Sequence, residues 1–258
     1  MTIPLIVHGA AGRMGARILS LALADPTFRI VAGVDRQAGR LRDLGVASDA
    51  PLLAALPVEK GAVVVDFSHP GCFAVLCQHC AANGMSVVSG TTGIEPAALD
   101  QALEAAAKRV AVLAAPNMSV GVNVVFQIAA RMAKTLGADY DIEVVEAHHN
   151  QKKDAPSGTA LGITDAICAA TGRTRSDLVH GRDGQVGARR KGEIGVHALR
   201  MGDVVGDHTA YFVGNGERIM IGHVAHSRDI FAQGALRAAA YIGRATPGRY
   251  TMANVLGL

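Results

Sequence analysis

The 258-residue chain is half hydrophobic and contains 30 glycines, which suits one large α/β domain or two modest ones with real cores. Aromatic residues make up 4% and Trp is absent, so stacking surfaces for single-stranded nucleic acid are scarce, and a net charge of +3 makes no large field for a polyanion. No run approaches the roughly 18 apolar residues of a membrane span, and the N-terminus lacks a basic leader with a cleavage pattern. The protein is expected in the cytoplasm, with neither nucleic acid nor membrane as partner.

Ile3 to Val7 reads as a strand running into His8-Gly9-Ala10-Ala11-Gly12-Arg13-Met14-Gly15, after which Ile18, Leu19, Leu21, Ala22 and Leu23 recur with helical spacing. Arg29 to Val34 is the next strand and ends in Asp35-Arg36, which places an acid 20 positions beyond Gly15. Strand, glycine turn, helix and distant acid together read as a dinucleotide site. One glycine permits the tight turn, another lets the backbone approach a pyrophosphate, and the third lets helix and strand pack closely. The phosphates then meet the helix N-terminus. The spacing is GxxGxxG, with Ala11 where the commoner fingerprint has its second glycine, so the phosphate approach is altered. Asp35 suits the ribose hydroxyls of NADH, while Arg36 either pairs with the 2′-phosphate of NADPH or is a solvated loop cation. The pair points to use of both cofactors.

Gly61 to Phe67 is a strand closing in Asp66-Phe67-Ser68-His69-Pro70, and a helix follows through about Asn83. That helix carries Cys77-Gln78-His79-Cys80, a spacing that could suit zinc or a redox pair. No second Cys-x-x-Cys exists among the four cysteines, so the quartet reads as small apolar filler and no metal is expected. Ser86 to Ser89 is a strand, Pro96 to Lys108 a helix with Pro near its start, and Val110 to Ala114 a fifth strand. Strands alternating with helices imply a parallel sheet whose ligand lies beyond the strands' carboxyl ends. The loops Gly90, Thr91 and Thr92, and Ala115, Pro116, Asn117 and Met118, are where nicotinamide is expected, unless they are ordinary polar turns.

From Val120 the texture changes. A helix carries Val124, Val125, Ile128, Ala129, Met132 and Leu136, and a strand from Asp141 to Ala147 leads into Glu146-Ala147-His148-His149-Asn150-Gln151-Lys152-Lys153-Asp154-Ala155-Pro156-Ser157-Gly158-Thr159-Ala160. Two imidazoles, two ammonium groups and a Ser-Gly-Thr turn before a helix to about Ala170 can hold an anion and move protons. Lys152 brings a point charge, Gly158 and Thr159 form an anion cradle at the helix start unless the turn is only a cap, and His149 can bond a carboxylate. An unperturbed imidazole has a pKa near 6.5, so His148 can give a proton near neutral pH. Glu146 either orients His148 or caps the sheet, Asp154 orients the loop or a neighbouring cation, and Lys153 is solvated charge.

Thr171 to Gly192 looks like a long loop, whose Arg173, Arg175, Arg182, Arg189, Arg190 and Lys191 form either a solvated face or a patch for an anion. Gly195 to Arg200, Asp207 to Val213 and Arg218 to His226 read as strands joined by turns at Gly202-Asp203 and Gly214-Asn215-Gly216-Glu217, hence antiparallel or mixed. The helix from Arg228 to Gly243 is expected to return to the first domain. The chain thus divides into a dinucleotide-binding domain, 1–119 completed by 228–258, and a second domain, 120–227, that carries the string from Glu146 to Ala160.

The residues resemble the 4-hydroxy-tetrahydrodipicolinate reductase (dihydrodipicolinate reductase) family of the bacterial lysine and diaminopimelate pathway. The likeness spans nearly the whole chain and rests on Gly9 to Gly15, Asp66-Phe67-Ser68, Gly90-Thr91-Thr92-Gly93, Asn117-Met118-Ser119-Val120-Gly121-Val122-Asn123 and, above all, Glu146 to Ala160. It implies a Rossmann-like cofactor domain closed by the C-terminal helix, a smaller mixed-sheet α+β domain, 120–227, that binds substrate and mediates oligomerisation, and a homotetramer assembled through those sheets. It also implies an NADH- or NADPH-dependent reduction of a cyclic dicarboxylate, with His148 as proton donor and Lys152 assisting. A different nicotinamide oxidoreductase, or a non-catalytic dinucleotide sensor, would keep the glycine turn. The sensor has no need for His148, Lys152, Gly158 and Thr159 together.

Overall fold

A computed structural model describes residues 2–258. In chain order it contains β1 (Ile3–His8), α1 (Arg13–Leu23), β2 (Phe28–Val34), β3 (Gly39–Arg40), β4 (Pro51–Leu53), β5 (Val63–Asp66), α2 (Phe73–Ala82), β6 (Ser86–Ser89), α3 (Pro96–Ala107) and β7 (Ala111–Ala114). There follow α4 (Val120–Leu136), β8 (Asp141–His148), α5 (Gly158–Thr171), β9 (Leu178–His180), β10 (Ile194–Arg200), β11 (Asp207–Val213), β12 (Arg218–Val224), α6 (Asp229–Ile242), β13 (Gly248–Tyr250) and α7 (Met252–Leu256). The chain forms two units, one running up to Val120 and taking in Asp229–Leu258, the other Gly121–Arg228.

The first unit is built on a sheet of order β13-β7-β6-β5-β1-β2-β4-β3, parallel except where β3 meets β4. Strand alternation supplies two cores. Leu5, Val7, Val63 and Val65 face α1, α6 and α7, while Ile6, Val64, Val87 and Val112 face α2 and α3. This is an open Rossmann-like sheet whose order reverses between β1 and β5, the place where such sheets bind ligands. The five expected strands are all present. Three more, β3, β4 and β13, are only two or three residues long, too short for any period to register in the sequence. Cys77 and Cys80 sit in the second core, where burial, with Asp66 adding, pushes both thiols up to about 12; they remain neutral filler.

The second unit is a mixed sheet of order β12-β11-β8-β10-β9, with α4 and α5 packed on one face through Val125, Ala129, Ile163 and Ile167. Two expectations are corrected here. The stretch from Thr171 to Gly192 is not all loop, since β9 pairs in parallel with β10. The turn at Gly202-Asp203 does not join neighbours: β10 and β11 lie on opposite sides of β8, one parallel and one antiparallel to it. On the outer face, away from α4 and α5, Leu199, Val213, Met220 and Val224 are 47%, 38%, 56% and 56% exposed.

The basic stretch is an ionic lattice instead of an open anion patch. Arg182 and Arg189 both bond Glu143, Arg182 and Arg190 bond Glu193, and Arg175 pairs with Asp165. Burial opposes the charge on Glu143, but hydrogen bonds from Arg182, His197 and Arg189 overcome it and hold the carboxyl down to about 2.

Candidate active site

The glycine turn after β1 is a close-packed cradle. Gly9 has φ +81, and a Cβ there would lie 2.4 Å from the Phe67 carbonyl oxygen; a Cβ on Gly15 would lie 2.1 Å from the Gly9 oxygen. Gly12 is the N-cap of α1, and no side chain caps that helix among the described residues, so its first N–H groups suit a phosphate. The Asp35 carboxylate accepts a hydrogen bond from the Ala11 N–H at 2.9 Å and from the Arg36 N–H at 2.8 Å, which ties the turn to the end of β2. Each carboxylate oxygen has further acceptor capacity for ribose hydroxyls. Arg13 and Arg36 are exposed and enter no ion pair among the described residues. Ala10 and Met118 are buried in the core, so only their backbone can meet a ligand, and Met14 packs partly against that core.

The loops after β5 and β6 are organised by Asp66, whose role the sequence did not disclose. It is fully buried and accepts hydrogen bonds from Ser68 Oγ at 2.6 Å, Ser89 Oγ at 2.7 Å and Thr91 Oγ1 at 2.8 Å, with His8 Nδ1 at 2.8 Å. Burial opposes its charge, yet the bonds from His8, Ser68, Ser89 and Thr91 prevail and its pKa is lowered. Gly90 lets the Phe67 ring approach: a Cβ there would lie 2.3 Å from it. Thr92 and Pro116 are exposed, and Ala115 and Asn117 are half-buried. The glycine turn, Asp35 and these loops therefore stand at the carboxyl ends of one sheet, and the cradle fits a dinucleotide.

In the second unit, β8 presents Glu146 and His148 on one face because they are two residues apart. The Glu146 carboxylate lies 2.6 Å from His148 Nδ1, takes both Nη1 and Nη2 of Arg200 at 2.9 Å, and accepts the Ser157 N–H at 3.0 Å. Burial works against its charge, and Arg200, His148 and Ser157 together lower its pKa. His148 is 9% exposed; burial lowers its pKa, Glu146 partly opposes this, and Lys152 and Arg200 add to the lowering. Lys152 Nζ donates to both oxygens of Asp154 at 2.9 Å, and Arg200 Nη2 donates to the Asp154 carbonyl at 2.7 Å.

Ser157 caps α5 by accepting from the Ala160 N–H, which leaves exposed Gly158 and half-buried Thr159 in the helix's first turn. Ser157 Oγ also lies 2.9 Å from His208 Nε2, and the His208 ring meets that of His148 edge-on at 5.1 Å. His149 is half-buried beside this group and Lys153 is exposed. Arg200 and His208 come from β10 and β11, and no local pattern marked them. The hollow of about 600 Å³ between α2 and α3 is alanine-lined and holds no candidate site residue.

Residues 3–118 match the family described as dihydrodipicolinate reductase, N-terminus, and residues 121–256 match dihydrodipicolinate reductase, C-terminus. This chain belongs to the dihydrodipicolinate reductase family. A 4-hydroxy-tetrahydrodipicolinate reductase of Myxococcus xanthus is 47% identical over 98% of this chain and 97% of its own length. A dipicolinate-bound dihydrodipicolinate reductase from Paenisporosarcina sp. TG-14 superposes with a TM-score of 0.77 at 22% identity, covering 97% of this chain and 98% of that one. GenD2 from gentamicin A biosynthesis, in complex with NAD, shares the fold at a TM-score of 0.62 and 16% identity, covering 99% of this chain and 90% of that one. The chain is therefore an NAD(P)H-dependent oxidoreductase, as the family's members are.

Proposed function

We propose that this protein reduces 4-hydroxy-tetrahydrodipicolinate to tetrahydrodipicolinate, with loss of water, in lysine and diaminopimelate biosynthesis. The observation that carries this reading is the buried Glu146–His148 pair set beside Lys152 and the start of α5. A ring with two carboxylates needs cations and N–H donors, and Lys152, His149, Gly158 and Thr159 supply them. Asp154 is 65% exposed at its side chain, so exchanging that weak ion pair for a substrate carboxylate costs Lys152 little.

Once water has left the ring to give a conjugated imine, Gly9, Gly12, Gly15, Asp35 and the loops at Gly90 to Thr92 and Ala115 to Met118 would hold a nicotinamide cofactor, which would supply the hydride. Lys152 stabilises the negative charge that the reduced ring acquires. His148 then gives a proton to that ring from Nε2, because Nδ1 is committed to Glu146. Its lowered pKa keeps the free imidazole neutral; the arriving dicarboxylate favours the cation and primes it. Asp35 and Arg36 together accept either NADH or NADPH.

The protein works in the cytoplasm as a homotetramer, the partner sheets covering Leu199, Val213, Met220 and Val224. No helix among the described residues is long and apolar enough to cross a membrane. The test is loss of nicotinamide absorbance with substrate freshly made from pyruvate and aspartate semialdehyde; no cofactor oxidation would sink the reading. Light scattering should give four times the 26.6 kDa chain mass.

A further inference from the structure

Glu146 bonds His148, Arg200 and the Ser157 N–H directly and is linked to Lys152 through Arg200 and Asp154, although it has no place of its own in the binding of substrate. We propose that Glu146, held by Arg200, is the positioning residue of this site: it fixes the tautomer of His148 and ties the imidazole, the Lys152 loop and the start of α5 to one carboxylate. This rests on the reaction proposed above.

The geometry leaves the carboxylate little other use. A carboxylate only accepts, so its contact at 2.6 Å puts the hydrogen of His148 on Nδ1 and leaves Nε2 to exchange protons. Nothing bulky covers that nitrogen on the Gly206 side, where a Cβ would lie 3.0 Å from Nε2. Arg200 stands opposite His148 in the β8–β10 register, and its guanidinium grips both Glu146 oxygens. The same Arg200 bonds the Asp154 carbonyl, and the Asp154 carboxylate holds Lys152. The fourth hydrogen bond to Glu146 comes from the Ser157 N–H, at the cap of α5.

A merely structural carboxylate would lower the yield of folded protein when replaced, and leave the proton chemistry of the folded fraction alone. A positioning carboxylate predicts more. The charged and titratable groups facing His148 are Glu146 on β8, Arg200 on β10, His208 on β11 and Lys152 in the loop. Of these, only Glu146 favours the imidazolium. In Glu146→Gln the amide N–H₂ can also turn toward Nδ1 and select the opposite tautomer.

The test is steady-state kinetics of Glu146→Gln against the wild type from pH 5 to 9, with nucleotide affinity measured alongside. We expect kcat to fall about a hundredfold or more, its His148-dependent pH limb to move to lower pH, and nucleotide affinity to stay unchanged. An active wild type with Glu146→Gln unaltered in kcat and pH limb overturns the inference; an inactive wild type instead overturns the proposed reaction. If the variant does not fold, the ¹⁵N imidazole signals of the wild type decide, assigned by their loss in His148→Gln. A protonated Nδ1 at neutral pH supports the inference, and a protonated Nε2 with bare Nδ1 overturns it.

Discussion

His208 and Ser157 share a hydrogen bond of 2.9 Å between Nε2 and Oγ, which joins the start of β11 to the cap of α5. His208 is 4% exposed, its Nδ1 is buried without a partner among the described residues, and burial together with the nearby His148 brings its pKa down to about 4.

That residue makes stability depend on pH. The unfolded imidazole takes a proton near pH 6.5 and the folded one only near 4, so stability present above 6.5 is lost as pH falls between those values. The loss from this group is about 3 kcal/mol. His208→Phe should flatten the fall in denaturation midpoint between pH 7 and 4.5, while costing about 1 kcal/mol at pH 7 through the lost bond to Ser157. An unchanged slope would assign the acid sensitivity elsewhere.

Lys152→Ala should lower kcat by about 10²–10³-fold, the usual cost of removing one charge stabiliser. Nucleotide affinity, measured by titration, should hold. Turnover at the wild-type level would remove Lys152 from the chemistry.

The Michaelis constants for NADH and NADPH should lie within about tenfold of each other, or roughly 1.4 kcal/mol. Arg36→Ala should weaken NADPH by about that factor and spare NADH, because only the 2′-phosphate calls for the guanidinium. A hundredfold preference in the wild type would refute dual use.

Asp66→Ala strands four polar partners, and should cost about 3–5 kcal/mol in chemical denaturation. The depressed carboxyl contributes stability in full above its unfolded pKa near 3.9, and loses it as pH falls through the lower folded value. Thr91→Val should cost less and weaken nucleotide binding, since it frees the Gly90–Thr92 loop from Asp66. Equal nucleotide affinity in Thr91→Val would show that loop to be uninvolved.

The Ile3–Val7 strand, the glycine turn and the Ile18–Leu23 helix could be read directly, because each is specified by residues within a few positions of one another. The same holds for the alternation that gave a parallel first sheet, and for the string from Glu146 to Ala160 that carries the family likeness. β3, β4 and β13 escaped because strands that short take their conformation from the neighbour they pair with. The arginines at 182, 189 and 190 looked available in sequence because nothing local revealed Glu143 and Glu193 as their partners.

By itself, then, the sequence determined the two sheet types, the family and the local string that holds His148 and Lys152. Only the tertiary structure decided what those groups rest on. Arg200 lies 54 residues from Glu146 and His208 lies 51 from Ser157, and they meet because β10 and β11 flank β8. Strand order is a property of the whole sheet's packing. It therefore leaves no period or spacing at the residues it brings together.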